Sequence, residues 1–284
     1  MARYLDPKAD VVFKKVFGEH PHLLKSFLNA VLPLTDDQQI VDLETLPPEQ
    51  VPDLPILKRT IADVRCKDAK GRHFIVEMQI EWSDSFKQRL LFSAGQAFVK
   101  QLKKGEGYRL LEPVYGLGII ADCFDPDKDI WYHHYQLVNI EKPKREVIEH
   151  LQLVFIELPK FPIKSKAEKQ LRLLWLRFLR EIDENTKTVP SELRAVAEIS
   201  EAIDLSEQAA YTEGELQSYE SYWDQISREK TLLSEWHLKG RVEGLAEGLE
   251  KKALEIARTM KLSGMSIDQI QKFTGLSKTV IEKL

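Results

Sequence analysis

The sequence predicts an α/β fold, a mixed sheet flanked by helices, followed by a helical C-terminal extension. Three observations point there. Helix-periodic segments alternate with strand-like runs over roughly the first 200 residues. Residues 114–123 (VYGLGIIADC) are nearly all apolar, as a strand covered on both faces must be. Beyond residue 204 the chain turns long, helical and charge-rich, which divides it into residues 1–204 and an extension, 205–284.

The elements follow in order. Asp6-Pro7 is a helix opening, with Asp able to cap and Pro tolerated in the first turn. Phe13 and Phe17 share one face, and Gly18 ends the helix. A second helix from Pro21 buries Leu24, Phe27, Leu28 and Val31 and stops by Pro33. A strand over 40–46 precedes a proline-rich loop at 47–55. Residues 85–102 form a helix with Phe86, Leu90, Ala94, Ala97 and Phe98 as its buried stripe and Arg89, Ser93, Gln96 and Lys100 as its polar one. Strands are predicted over 114–123, 131–140 and 151–158. Ser165 and Glu168 make a capping box for a helix that buries Leu171, Leu174, Trp175, Phe178 and Ile182. Another helix spans 191–202.

In the extension, Gly240, Gly244 and Gly248 fall on one helix face, either a close-packing surface or a weakly helical linker. The end reads as two short helices joined at Gly275. Ser266 and Gln269 cap the first, Ser277 caps the second, and Ile267, Ile270, Phe273, Val280, Ile281 and Leu284 are the apolar positions. This is a helix-turn-helix pattern, a DNA reader or a packing hairpin.

Residues 61–82 (IADVRCKDAKGRHFIVEMQIEW) are the centre of the functional reading. Two β-prone runs flank a turn containing Gly71. In a symmetric register paired positions share the sum of 63 and 77, which sets Asp63 directly across from Glu77. Facing like charges destabilise a hairpin by up to about 1 kcal/mol. Such a pair shares a divalent cation or a proton, or else belongs to a solvated face. Alternation puts Ile75, Glu77, Gln79 and Glu81 on one face and Val76, Met78 and Ile80 on the other, so one side of the hairpin is expected to be polar and the other buried.

Composition bounds the alternatives. The chain has 284 residues, 43% hydrophobic and 30% charged, with net charge −4, so a polyanion would need a locally basic surface. Two cysteines, Cys66 and Cys123, read as buried thiols and exclude a disulfide scaffold. Charges interrupt the first ten residues, and no apolar run reaches the ~18 residues of a membrane span, so a cytoplasmic protein without a membrane partner is expected. The seven histidines show no metal-site spacing.

The stretches YLDPKADVVFKKVFG (4–18), the Asp63 strand, the Glu77-Met78-Gln79 strand, Arg89, GEGYRLLEPVYGLGII (105–120) and the glycine-spaced tail together resemble the recombination-promoting nuclease (Rpn) family, transposase-like members of the PD-(D/E)XK nuclease superfamily. The resemblance implies a restriction-endonuclease-like core and a metal-dependent DNA endonuclease, with Mg²⁺ the default ion and another divalent cation an alternative. Asp63 matches the first catalytic acid, Glu77 the second, and Gln79 the position usually held by lysine. Ala62 replaces the motif's proline, and Gln79 brings no charge. Within this reading Asp10 joins Asp63 and Glu77 as a metal ligand, and Lys14 and Arg89 hold the substrate phosphate. A role in recombination, transposition or defence comes from the resemblance alone.

A run of cations, Lys142, Lys144, Arg145, Lys160, Lys164, Lys166, Lys169, Arg172, Arg177 and Arg180, is expected to follow a DNA backbone if it converges. DNA and a second copy of the chain, bound through the C-terminal helices, are the expected partners. The alternatives are a catalytically weak nuclease-like DNA-binding protein and an oligomeric interaction protein.

Overall fold

The computed structural model describes residues 3–47, 49–50, 60–143, 146–162 and 170–284. The chain divides into two compact units, Met1–Trp223 and Asp224–Leu284. In chain order the elements are α1 (Asp10–Phe13), running into a π-helical turn (Lys14–Gly18), α2 (Pro21–Val31), β1 (Leu43–Leu46), β2 (Glu49–Gln50), β3 (Thr60–Ile61), β4 (Val64–Asp68) and β5 (His73–Gln79). Then come α3 (Phe86–Val99), β6 (Val114–Ile120), β7 (Tyr132–Val138), β8 (Val147–Glu157), α4 (Gln170–Glu181), α5 (Ser191–Arg194), α6 (Ala197–Leu205), α7 (Glu213–Leu262), α8 (Ile267–Thr274) and α9 (Lys278–Glu282).

Six strands form a mixed sheet in the order β1-β4-β5-β6-β8-β7, and β2 and β3 pair separately. β5, β6 and β8 run parallel, and β1, β4 and β7 are antiparallel to their neighbours. The β4–β5 hairpin takes the predicted register, Val64↔Val76 through Lys67↔His73. Its turn is locally determined. Asp68 accepts the backbone N–H groups of Lys70 and Arg72 at 3.1 and 2.9 Å and pairs with the buried Arg72 guanidinium, while Gly71 takes φ 83°. A side chain satisfying turn N–H groups is the usual asparagine/aspartate device.

Parallel strands need a crossover, and α3 supplies it between β5 and β6. The helix lies on one sheet face, in contact with β5, β6 and β8. On the other face the π-helical turn packs on β4 and α2 packs on β1, with α4 and α6 behind α2. Phe17, Phe27 and Trp175 interlock there with ring centroids 4.9–5.8 Å apart. Every residue of β6 is buried, as its apolar run requires.

Gly118 in β6 shows how closely α3 is seated. A Cβ there would lie 2.9 Å from both Phe155 Cδ1 and Phe86 Cε1. Gly118→Val is therefore expected to lower stability by about 2–3 kcal/mol, an overpacking effect. Thermal unfolding checks this, and an unchanged midpoint would refute the close approach.

Several expectations need correction. The first helix starts at Asp10, because Asp6 is turned inward: its carboxylate accepts the Lys8 N–H at 2.9 Å and pairs with Lys8 Nζ, and its own N–H donates to Tyr219 Oη at 3.0 Å. Residues 191–202 do not form one helix, because Val196 takes an extended conformation (φ −104°, ψ 122°) between α5 and α6. Cys66 is buried, but Cys123 lies beyond the end of β6 and is exposed. The described members of the basic run turn to partners within the fold. Lys160 pairs with the buried Glu157, Lys142 with Glu146 and Arg177 with Glu181, while Arg172 and Arg180 donate to the carbonyls of Ala30 and Phe161. Lys144, Arg145, Lys164, Ser165, Lys166, Glu168, Lys169 and the centre of the proline-rich loop lie outside the described residues.

In the second unit, the Ser266–Gln269 capping box forms in both directions and Gly275 ends α8 in the left-handed region, φ 71°. Ala257, Ile270 and Ile281 are fully buried between the end of α7, α8 and α9. Phe273 departs from expectation. It is 68% exposed, one position off the α8 face that Ile270 buries. Ser277 occupies the cap position of α9 without a capping side-chain bond. Gly240, Gly244 and Gly248 lie inside α7, where an added Cβ meets nothing within 4 Å. No helix among the described residues is long and apolar enough to cross a membrane.

Candidate active site

Asp63 sits in the bend before β4, one step past the last paired rung Val64↔Val76. Its Oδ2 accepts the Met78 N–H at 2.6 Å, so the side chain takes the place of the next ladder bond. The register carried one step further faces Asp63 with Glu77. β5 thus contributes Glu77 and Gln79 from alternate positions at its C-terminal end, paired along β6 with Gly118 and Ile120.

The Glu77 side of the hairpin is not a solvated face. Ile75 joins a core with Phe86, Leu90 and Ala94 of α3, and Glu77 is only 5% exposed. α3 supplies polar partners for the carboxylate that its own packing removes from water. Ser93 Oγ donates to Glu77 Oε1 at 3.4 Å, and Arg89 Nε lies 3.5 Å from Glu77 Oε2. Arg89 Nη2 donates to Gln79 Oε1 at 2.6 Å. Arg89 and Ser93, one turn apart, are the inward end of the polar stripe read from the sequence.

Burial raises both acids. The Glu77 carboxyl is pushed up to about 7 by desolvation and by the neighbouring Asp63, against the pull of Arg89 and Ser93. Asp63 is pushed up to about 6 by desolvation and by Asp10, against the Met78 N–H, Lys14 and Arg89. These influences link five of the predicted residues, Asp10, Lys14, Asp63, Glu77 and Arg89, and the hydrogen bond to Arg89 adds Gln79. Asp63 and Glu77 are the buried members of this group, with Gln79 and the Arg89 side chain, 46% exposed, beside them. Asp10 and Lys14 stand at its rim, paired with each other at 2.8 Å and both about 40% exposed. Among the described residues no three His, Cys, Asp or Glu side chains form a ready metal cage. Two carboxylates still suit a hard cation such as Mg²⁺, which keeps several of its waters and takes one or two protein carboxylates. A cation between Asp63 and Glu77 would offset the cost of burying their charges, which is the main influence that raises both.

The sequence reading missed the Met78 N–H, which no side-chain pattern reports. It also missed a buried cluster beyond the C-terminal end of β6. Glu157, fully buried at the end of β8, meets His133 Nε2 at 2.7 Å, Lys160 Nζ at 2.9 Å and the Phe124 N–H at 2.8 Å. Lys160 also donates to the carbonyls of Asp125 and Asp127 at 2.6 and 2.8 Å. The cluster fixes the loop that leaves β6 beside Gln79. Two of its members, His133 and Lys160, come together only in the fold.

A mixed sheet with helices on both faces, carrying paired acids at the junction of two central strands, defines a restriction-endonuclease-like domain. Residues 7–235 match the family model described as PD-(D/E)XK nuclease family transposase, and the chain belongs to that family. Residues 250–284 match the C-terminal HTH domain of the Rpn/YhgA-like nuclease family. Comparison with curated proteins and with solved structures gives no match.

Proposed function

We propose that the chain is a divalent-metal-dependent DNA endonuclease, with Mg²⁺ the default ion, acting in the cytoplasm and promoting DNA recombination. The observation that carries this reading is the pair Asp63 and Glu77, two acids that the β4–β5 register faces toward each other and that the fold largely removes from water. Burial raises both carboxyls while they face each other across the hairpin, a combination that singles out candidate functional acids. When bound, a divalent ion lowers the pKa of a coordinated water and neutralises charge on the phosphoryl oxygens. Asp63 and Glu77 would hold that ion, with Asp10 adding charge from the rim. Gln79 would orient the attacking water by hydrogen bonding. Lys14 and Arg89 supply positive charge beside the acids, Lys14 from the rim where the anionic backbone must approach and Arg89 next to Gln79. Supercoiled plasmid incubated with the protein tests this. Nicking in Mg²⁺ and none in chelator is the expected result, and equal nicking in both contradicts it.

We assign the chemistry to residues 1–204 and DNA contact to the extension, 205–284. In the helix-turn-helix reading α9, with Lys278 and Lys283, approaches the duplex. A second copy of the chain is the other proposed partner, met along α7, where Leu238, Val242, Leu245 and Leu249 are exposed at heptad-like spacing. Ile270→Asp removes the apolar centre that holds α8 and α9 against α7. It is expected to weaken binding to duplex DNA at least about tenfold and to flatten its salt dependence. Unchanged affinity and slope in a binding titration would take the tail out of DNA recognition.

A further inference from the structure

Gln79 stands where the motif has lysine, and an amide carries no charge. Its environment compensates for that. An amide's oxygen and nitrogen are distinguished only by their partners. Arg89 has donors and no acceptor, so the group it meets at 2.6 Å must be the Gln79 oxygen. The amide is thereby fixed one way round, and its Nε2 protons have no protein acceptor among the described residues. Arg89 is held as well. Its Nε faces Glu77 Oε2 at 3.5 Å, and its guanidinium lies 5.0 Å from the ring centroid of Phe86, one turn back on α3. Phe86 is fully buried and packs edge-on against Phe155. A planar fork bonded to two β5 side chains and resting on a buried ring is pre-organised in a way a lysine is not.

We propose that Arg89 is a positioning residue that acts through Gln79. It turns the amide so that position 79 presents N–H donors to the attacking water or the scissile phosphate, and it keeps on α3 the positive charge that lysine would carry on β5. The inference rests on the nuclease reading and deepens it. It separates Arg89 from Lys14, because Arg89 then serves catalysis without anchoring the DNA backbone.

A double-mutant cycle in the full chain tests it. Nicking of supercoiled plasmid in saturating Mg²⁺ is measured for wild type, Arg89→Ala, Gln79→Lys and the double variant, with unfolding midpoints confirming that each is folded. Plasmid binding in Ca²⁺ is the second readout. Arg89→Ala is expected to slow nicking about 10–100-fold, the usual effect of losing an orienting partner, while plasmid affinity changes less than about twofold. With lysine at position 79, which brings its own donor and charge, the same substitution is expected to slow nicking less than about threefold. Equal losses in both backgrounds, a parallel loss of plasmid affinity, or a folded Gln79→Lys protein that does not nick would each overturn the proposal while leaving the nuclease reading intact. A wild type that nicks no faster than Asp63→Ala would overturn both.

Discussion

Replacing Asp63 by alanine is expected to reduce Mg²⁺-dependent plasmid nicking at least about 100-fold, because even partners one step removed from a metal ligand typically contribute 10–100-fold. The substitution removes one of two carboxylates and leaves Glu77 under α3 with Arg89 as its nearest charge. A single buried carboxylate already paired with an arginine is a poor site for a hard cation. The change also removes the acceptor for the Met78 N–H. Asp63→Asn separates the two effects, since an amide oxygen can keep that bond without the charge. Both variants are expected to lose nicking, and only the alanine is expected to lose stability, by about 1 kcal/mol. An asparagine variant as active as wild type would refute a charge-based role.

Glu77→Gln is expected to make the metal-free protein more stable above pH 7, by about 2 kcal/mol. The Glu77 carboxyl is raised from 4.5 to about 7 and that of Asp63 from 3.8 to about 6, both chiefly by burial. A raised carboxyl pKa means that the folded state binds more protons than the unfolded chain between those limits. The stabilisation is therefore fully present below about pH 4 and is lost as pH rises through 6 to 7, the reverse of an ordinary salt-bridged acid. Glutamine keeps the shape and the Ser93 contact without the ionisable proton. Arg89 is 46% exposed at its side chain and can turn to water when its partner charge disappears. For a chain of this size the midpoint should rise by about 4–8 °C at pH 8 and change little at pH 4. The wild-type midpoint should fall between pH 5 and 8 in chelator and recover in Mg²⁺, as expected of a ligand that binds only the folded state. A wild-type midpoint that rises over that range, or a destabilised Glu77→Gln, would contradict the electrostatic picture of the site.

Local rules made the site legible. The register of the β4–β5 hairpin follows from a short turn, and alternation along β5 follows from strand geometry, so the approach of Asp63 to Glu77 could be read from spacing. The second unit was legible for the same reason, since the Ser266 capping box and Gly275 act within one or two turns. What failed was non-local. The sequence does not say that α3 lies over Ile75 and Glu77, and that packing is what buries the acid and raises its pKa. It does not say that Lys160, Arg172, Arg177 and Arg180 turn to carboxylates and carbonyls within the fold. Cys123 read as a strand residue because the apolar run continues past Ile120, but β6 ends there and Asp122 caps the exit by accepting the Trp82 N–H at 3.0 Å. The inward turn of Asp6 depends on Tyr219, more than 200 positions away in the chain.

The central claim is that Asp63 and Glu77 share one divalent ion. Crystals grown with Mn²⁺, with the ion located by its anomalous signal, test it most directly. The account predicts one ion coordinated by an oxygen of each carboxylate, with Gln79 and Arg89 at its border. Density elsewhere, or no ion between the two acids at saturating metal, would contradict it.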